Sequence, residues 1–115
     1  MNDVIPVIVL GPPTGGLPRM FRQVGETRDI PHDNPRESTL IFKALIQECL
    51  TTKTALLLQD VPVLLIGALV LLSARGVTPQ IYATISRNLS SDGEPDYKMV
   101  GIVNILTEEM VWELD

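Results

Sequence analysis

The apolar stretch DVPVLLIGALVLLSARG, residues 60–76, carries no charge between Asp60 and Arg75. Pro62 suits the first turn of a helix, Arg75 suits the negative end of the helix dipole, and Gly76 is common just beyond a helix C-terminus. We therefore predict a helix here. Because its residues are apolar on every side rather than along one stripe, the helix must be covered by other elements, by a partner chain or by lipid.

The uncharged part of this stretch is too short to cross a bilayer. Residues 61–73 make up about thirteen uncharged positions, whereas a membrane-spanning helix needs roughly twenty. A span that began at residue 55 would contain Gln59 and Asp60, and a central aspartate costs about 3 kcal/mol on membrane insertion. We predict that the helix is buried within the protein or at a subunit interface, and that any membrane association is peripheral.

The composition is that of one small domain with an aliphatic core. Of the 115 residues, 45% are hydrophobic but only 4% are aromatic, so Leu, Ile and Val must supply most of the core. The formal net charge is -5, and Lys98 is the only base from residue 92 onward. Such a surface disfavours nucleic acid as a partner, unless the arginines of the N-terminal half converge. Those arginines are Arg19, Arg22, Arg28 and Arg36.

The single cysteine, Cys49, cannot form a disulfide within the chain and lies among apolar residues. A single cysteine without a disulfide partner fits a reducing compartment. The expected burial of Cys49 disfavours it as a nucleophile. The apolar run near the N-terminus follows Asp3 rather than basic residues and is interrupted by Pro6, which does not match a signal peptide. We expect a cytoplasmic location.

The first elements predicted are a strand and a long arm. Residues 4–10 are rich in β-branched side chains and predict a strand, and Pro6 favours the edge of a sheet. Residues 11–18 contain three glycines and three prolines, and the polar sequence continues to residue 34. We predict an extended arm with a turn or short strand at residues 20–24.

Three apolar side chains stand out in this arm, namely Leu17, Met20 and Phe21. The arm is not expected to have a core of its own, so these side chains need another surface to bury them. We predict that they contact a partner protein.

A second helix is predicted at residues 35–50. Asn34, Pro35 and Glu37 are typical of a helix N-terminus, and residues 51–53 mark a break after the helix. Apolar residues recur between them at helical spacing: Ile41, Phe42, Leu45, Ile46, Cys49 and Leu50. Residues 55–58 are then predicted to form either a short helical turn or the N-terminal part of the apolar helix.

The C-terminal third of the chain has the alternating apolar and polar pattern that is typical of β-strands. Apolar and polar residues alternate at residues 81–86, a turn is predicted at residues 90–96, and a second strand follows at residues 97–105. These two strands would pair as an antiparallel hairpin. Residues 106–115 predict a third strand, with a short helix as the alternative.

Together these elements predict an α+β fold, with two helices packed on a small antiparallel sheet and a strand and a long Pro/Gly-rich arm before them. Residues 1–34 form the N-terminal strand and arm, and residues 35–115 form the compact core of a single domain. The element order is loosely similar to that of small matrix proteins of negative-strand RNA viruses, which carry a flexible Pro-rich N-terminal part before an α+β core. That resemblance implies a structural protein that associates with a membrane surface and with partner proteins. Residues 12–15, PPTG, depart from the PPxY motif of such proteins.

Residues 7–16, VIVLGPPTGG, resemble the start of a phosphate-binding loop. Such a loop also needs a Lys, a Ser or Thr for magnesium and a helix N-terminus, whereas here Leu17 and Pro18 follow. We keep a degenerate nucleotide-binding protein as an alternative.

The other reactive side chains form no recognisable site. His32 is the only histidine and Cys49 the only cysteine, whereas structural zinc sites use four such ligands. The acidic residues near the C-terminus are typical of a solvated face. We therefore predict a non-enzymatic protein without cofactor or metal that works by association, either with itself or with a partner protein. The matrix-like and the nucleotide-binding proteins are the alternatives.

Overall fold

The computed structural model describes residues 4–11, 16–29, 34–59, 79–88, 90 and 93–114. The helix predicted at residues 60–76 lies outside these ranges, and so do His32 and the PPTG segment.

The described residues form one mixed sheet and one helix. In chain order the elements are β1 (Ile5–Leu10), β2 (Phe21–Gln23), α1 (Pro35–Thr52), β3 (Ala55–Leu58), β4 (Ile81–Asn88), β5 (Tyr97–Asn104) and β6 (Glu109–Glu113). The strands lie in the order β2-β1-β3-β4-β5-β6. The four strands from β2 to β4 are parallel, and β5 and β6 continue the sheet in antiparallel pairs.

The predicted small antiparallel sheet with two helices is therefore wrong. Only the β4-β5-β6 part is antiparallel, and residues 55–58, which were expected to be helical, form strand β3 inside a parallel sheet. A run of four apolar residues has no period that separates a strand from a helix. All four residues of β3 are buried, as is usual for strands inside parallel sheets.

Strand β1 is confirmed, but its predicted place at the edge of the sheet is wrong. It lies between β2 and β3. Pro6 has no N–H to donate. The backbone groups of its neighbours Ile5 and Val7 form hydrogen bonds with the β2 segment, so the Pro6 nitrogen points the other way, toward β3. The pairing with β3 begins only at Val7, opposite Ala55. Pro6 is therefore tolerated inside the sheet because no β3 residue lies opposite its missing donor.

The short strand predicted at residues 20–24 is confirmed as β2, which pairs with β1. The chain then continues along β1, where the Arg28 N–H donates to Val9 O at 2.9 Å and the Gly11 N–H donates to Arg28 O at 2.8 Å. Residues before position 34 thus belong to the same sheet as the later strands. The division of the chain at residue 34 stays a prediction, since residues 30–33 lie outside the described ranges.

Helix α1 begins where its capping residues predict, but it continues to Thr52, beyond the predicted end at residue 50. The Asn34 side chain accepts a hydrogen bond from the Glu37 N–H at 3.1 Å, and Lys53 ends the helix in the left-handed conformation, with φ 55°. The Arg28 guanidinium donates to both Glu48 carboxylate oxygens, at 2.7 and 2.5 Å, and this lowers the pKa of Glu48. Both side chains are 41% exposed, so the pair stabilises the fold by no more than about 1 kcal/mol.

The core has two layers, one on each face of the sheet. Phe42, Leu45 and Cys49 of α1 pack on one face, which we call the α1 face. The strand residues buried there are Ile8, Leu10, Leu56, Leu58, Ile81 and Ala83. The alternate residues are buried on the opposite face: Val7, Val9, Phe21, Ala55, Leu57, Tyr82 and Ile102. This alternation along each strand places apolar side chains on both faces.

The C-terminal strands are confirmed. Strands β4 and β5 form the predicted antiparallel hairpin, and the last residues form the third strand, β6, rather than a helix. In the loop of the hairpin, the Asn88 side chain accepts hydrogen bonds from the backbone N–H groups of Ser90 and Asp96, each at 3.0 Å.

Candidate functional site

The α1 face is not covered by α1 along its whole width. The helix packs on β1, β3 and the first residues of β4. Beyond it lies a groove of about 340 Å³ across β4, β5 and β6, which we call the β4–β6 groove. Its lining residues are Ile85, Arg87, Val100, Gly101, Met110, Glu113 and Leu114.

The groove exposes large apolar side chains. Ile85 is 39% exposed, Met110 45% and Leu114 51%. Single exposed apolar side chains are ordinary, but here three lie together on one patch of a sheet. This exposed apolar patch is therefore a candidate surface for association.

Gly101 forms the floor of the groove. A Cβ atom at this position would lie 3.1 Å from the Met110 sulfur and 3.7 Å from Ile85 Cδ1. The missing side chain therefore lets Ile85 of β4 and Met110 of β6 approach each other over β5. Glycine inside a strand is typical of such a close approach.

Strand β6 is an open edge of the sheet. In the part of the chain that the structure describes, β6 pairs with β5 on one side and with no strand on the other. The opposite edge is β2, which has only three residues. Edge strands offer unpaired backbone groups to other chains, and charged side chains reduce that tendency. Glu109 and Glu113 are exposed charges of this kind on β6.

Asn104 holds the turn that brings β6 beside β5. Its side chain is 5% exposed, and its Oδ1 accepts hydrogen bonds from the N–H groups of Leu106 at 3.0 Å and Thr107 at 3.2 Å. Its amide also donates to Gln80 Oε1 at 2.7 Å. These three hydrogen bonds to one buried side chain fix the position of the turn, and hence the position of β6, which lines the groove.

We predict that Asn104→Ala lowers the free energy of unfolding by about 1–3 kcal/mol, because three hydrogen bonds made by this buried side chain are lost. Urea unfolding measures this loss. Asn88→Ala is the matched control, since Asn88 also accepts two backbone hydrogen bonds but is exposed, so that water can replace it. Equal losses for the two variants would contradict the role given to Asn104.

A second cavity, of about 380 Å³, lies where α1 ends and β1 and β3 begin, and Cys49 is among its lining residues. The Cys49 thiol is 1% exposed and donates to Ala55 O at 3.8 Å. Burial raises the pKa of this thiol. A thiol that is buried and protonated is a poor nucleophile, which agrees with the core role predicted for Cys49.

The residues predicted to contact a partner lie on the opposite face of the sheet. Phe21 is 6% exposed and packs edge-on against Tyr82, with the ring centroids 5.2 Å apart. Leu17 and Met20 are half-buried against the same cluster. All three pack within the chain itself, and a partner contact by them stays a prediction.

Sequence reasoning did not find the β4–β6 groove. The apolar residues Ile85 and Met110 do stand out in the alternating pattern of the predicted strands. However, alternation reports which residues share a face and not where a helix stops covering that face. The one sequence signal was Gly101 within a predicted strand, a position where close approach is expected.

No protein-family model, curated protein or solved structure matches the chain. Among the described residues, no helix is both long enough and apolar enough to span a membrane. The same ranges contain no group of three or more His, Cys, Asp or Glu side chains that could hold a metal ion.

Proposed function

We propose that this protein is a non-enzymatic module that works by self-association, and that it associates through the β4–β6 groove. The observation that carries the proposal is the exposed apolar surface of Ile85, Met110 and Leu114, which lies on the α1 face beyond the reach of α1. Burial of this surface against another chain is favourable by about 25 cal/mol for each Å² of apolar area.

The position of the groove supports the same proposal. It lies on three strands that pair within one sheet, so the backbone of the contact surface needs little ordering for association. It also lies beside the open edge of β6, at the end of the sheet, where no further described strand follows. A second chain can therefore reach the groove without displacing any described element.

No observation on the described residues favours the two alternative functions. A nucleotide site would involve residues 12–15, which lie outside the described ranges. Peripheral membrane association of the matrix type, the cytoplasmic location and the absence of nucleic-acid binding likewise stay predictions.

We predict that Met110→Glu weakens self-association at least about tenfold in Kd, because a carboxylate in the contact would have to lose its water. Met110 is 45% exposed, so the isolated chain keeps this carboxylate in water and its free energy of unfolding changes by less than about 1 kcal/mol. Size-exclusion chromatography with light scattering, over a wide range of concentrations, measures the mass against that of the 12.7 kDa monomer.

The matched control is Leu40→Glu, which places the same charge on α1 at a side chain that is 62% exposed and outside the groove. Its mass should follow that of the unmodified protein at every concentration. The proposal fails if the unmodified protein is a monomer throughout, or if Met110→Glu associates as well as Leu40→Glu.

A further inference from the structure

We propose that the β4–β6 groove binds a single-chain carboxylate of the fatty-acid class, with the carboxylate on Arg87 and Lys98 and the hydrocarbon chain over the groove floor. This inference goes beyond the proposed function, because it assigns a small-molecule ligand to the surface that would otherwise meet a second chain.

A β-bulge in β5 turns Lys98 toward the groove side of the sheet. The register with β4 passes from Gly101 directly to Met99, so Val100 is an extra residue without a partner on β4. Strict alternation from Gly101 would place Lys98 on the opposite face. Because of the bulge, Lys98 instead lies directly opposite Arg87, which lines the groove. Bulges often re-aim a side chain beside a functional site.

Arg87 and Lys98 form a pair of like charges. Both are exposed, and among the described residues neither takes part in an ion pair. Like charges directly opposite each other on paired strands destabilise the pairing. An anion bound between them would remove this repulsion, and a guanidinium can donate two parallel hydrogen bonds to one carboxylate. The pair is therefore suited to a carboxylate head group.

The apolar part of the groove begins next to this pair. Ile85 precedes Arg87 by two residues on β4, and opposite Ile85 the floor is left open by Gly101. Met110 and Leu114 line the β6 side. The groove volume of about 340 Å³ falls within the range of about 300–1,000 Å³ that is usual for small-molecule sites. A charged end and an apolar floor are complementary to a carboxylate that carries a hydrocarbon chain.

The groove favours a ligand with one terminal charge and no other polar group. Glu113 lines the β6 side, opposite Gly101, and would repel a second negative charge farther along the ligand. The floor is β5, whose backbone pairs with β4 on one side and with β6 on the other. A peptide laid on this floor would lose water from its backbone groups without gaining hydrogen bonds. A hydrocarbon chain has no such groups to satisfy.

Octanoate is the probe for this site, and its binding is measured by NMR on methyl-labelled protein. It should shift the methyl signals of Ile85, Met110 and Leu114, but not those of Leu40, which is exposed and lies outside the groove. Acetate lacks the chain and octanol lacks the charge, so each should bind at least about tenfold more weakly. Equal affinities for octanoate and octanol would overturn the inference.

The double variant Arg87→Gln/Lys98→Gln should weaken octanoate binding about tenfold. Its matched control is Arg36→Gln/Lys43→Gln, which removes the same charge from exposed residues of α1 outside the groove and should bind octanoate as the unmodified protein does. Equal octanoate binding by the two double variants would overturn the inference. So would tighter binding of a blocked tripeptide of one aspartate and two leucines, because the occupant would then be a peptide.

Occupation of the groove should also regulate self-association, and this step rests on the proposed function. Saturating octanoate should lower the mass that light scattering measures at a concentration where the unmodified protein associates. If octanoate fills the groove but the mass stays the same, the proposed function fails while the ligand site stands. If octanoate does not bind but Met110→Glu still weakens association, the ligand site is overturned while the proposed function stands.

Discussion

Gly11→Ala is expected to reduce the free energy of unfolding by more than about 3 kcal/mol, a large part of the 5–15 kcal/mol that is typical of a small domain. Gly11 follows β1 with φ 122°, a conformation that residues with a side chain rarely adopt. A Cβ atom there would lie 1.9 Å from the backbone O of Gln59. That oxygen cannot move away freely, because the Gln59 N–H donates to Leu10 O at 2.8 Å and holds the ends of β1 and β3 together.

Chemical denaturation followed by circular dichroism measures this loss. The control is Gly16→Ala, because a Cβ at Gly16 meets nothing within 4 Å and the backbone there is not left-handed. Gly16→Ala should change the free energy of unfolding by less than about 1 kcal/mol. A Gly11→Ala protein as stable as the Gly16→Ala protein would show that β1 and β3 do not end side by side.

Phe42→Ala is expected to cost about 3–5 kcal/mol of folding free energy, the range observed for large aromatic side chains in cores. Phe42 is 1% exposed and is the largest side chain between α1 and the sheet. Its removal leaves a cavity that the surrounding aliphatic side chains fill only in part. Because the variant exposes nearly the same surface on unfolding, the loss should appear as a lower denaturation midpoint with an unchanged slope.

Leu40→Ala is the control on the same helix. Leu40 is 62% exposed, and alanine is a good helix former, so the expected change is below about 0.5 kcal/mol. Similar losses for the two variants would mean that α1 presents a different side to the sheet from the one described.

The elements with a clear local signal could be predicted from the sequence. Asn34 and Glu37 mark the start of α1, and alternating residues mark β4 and β5, because capping and period depend on neighbours along the chain. Pro6 misled the prediction, since whether a missing N–H is tolerated depends on where the neighbouring strand begins. Residues 55–58 were also misassigned, because an apolar strand buried on both faces has no period.

The β4–β6 groove could not be predicted from the sequence, for a different reason. Ile85 and Met110 come from strands that are far apart in the chain, and they meet only because Gly101 lies between them on β5. Their exposure depends on where α1 stops covering the sheet, which is a property of packing and not of local sequence. Phe21 shows the reverse case: it looked available in a polar arm, but it is buried against Tyr82.

The most direct test of the account is an isotope-filtered NOE experiment on a mixture of labelled and unlabelled chains, which detects only contacts between different molecules. Intermolecular NOEs are expected to the methyl groups of Ile85, Met110 and Leu114, with none to the exposed methyl groups of Leu40. The absence of intermolecular NOEs from Ile85 at concentrations where other contacts between chains are observed, or the absence of any such contact, would contradict it.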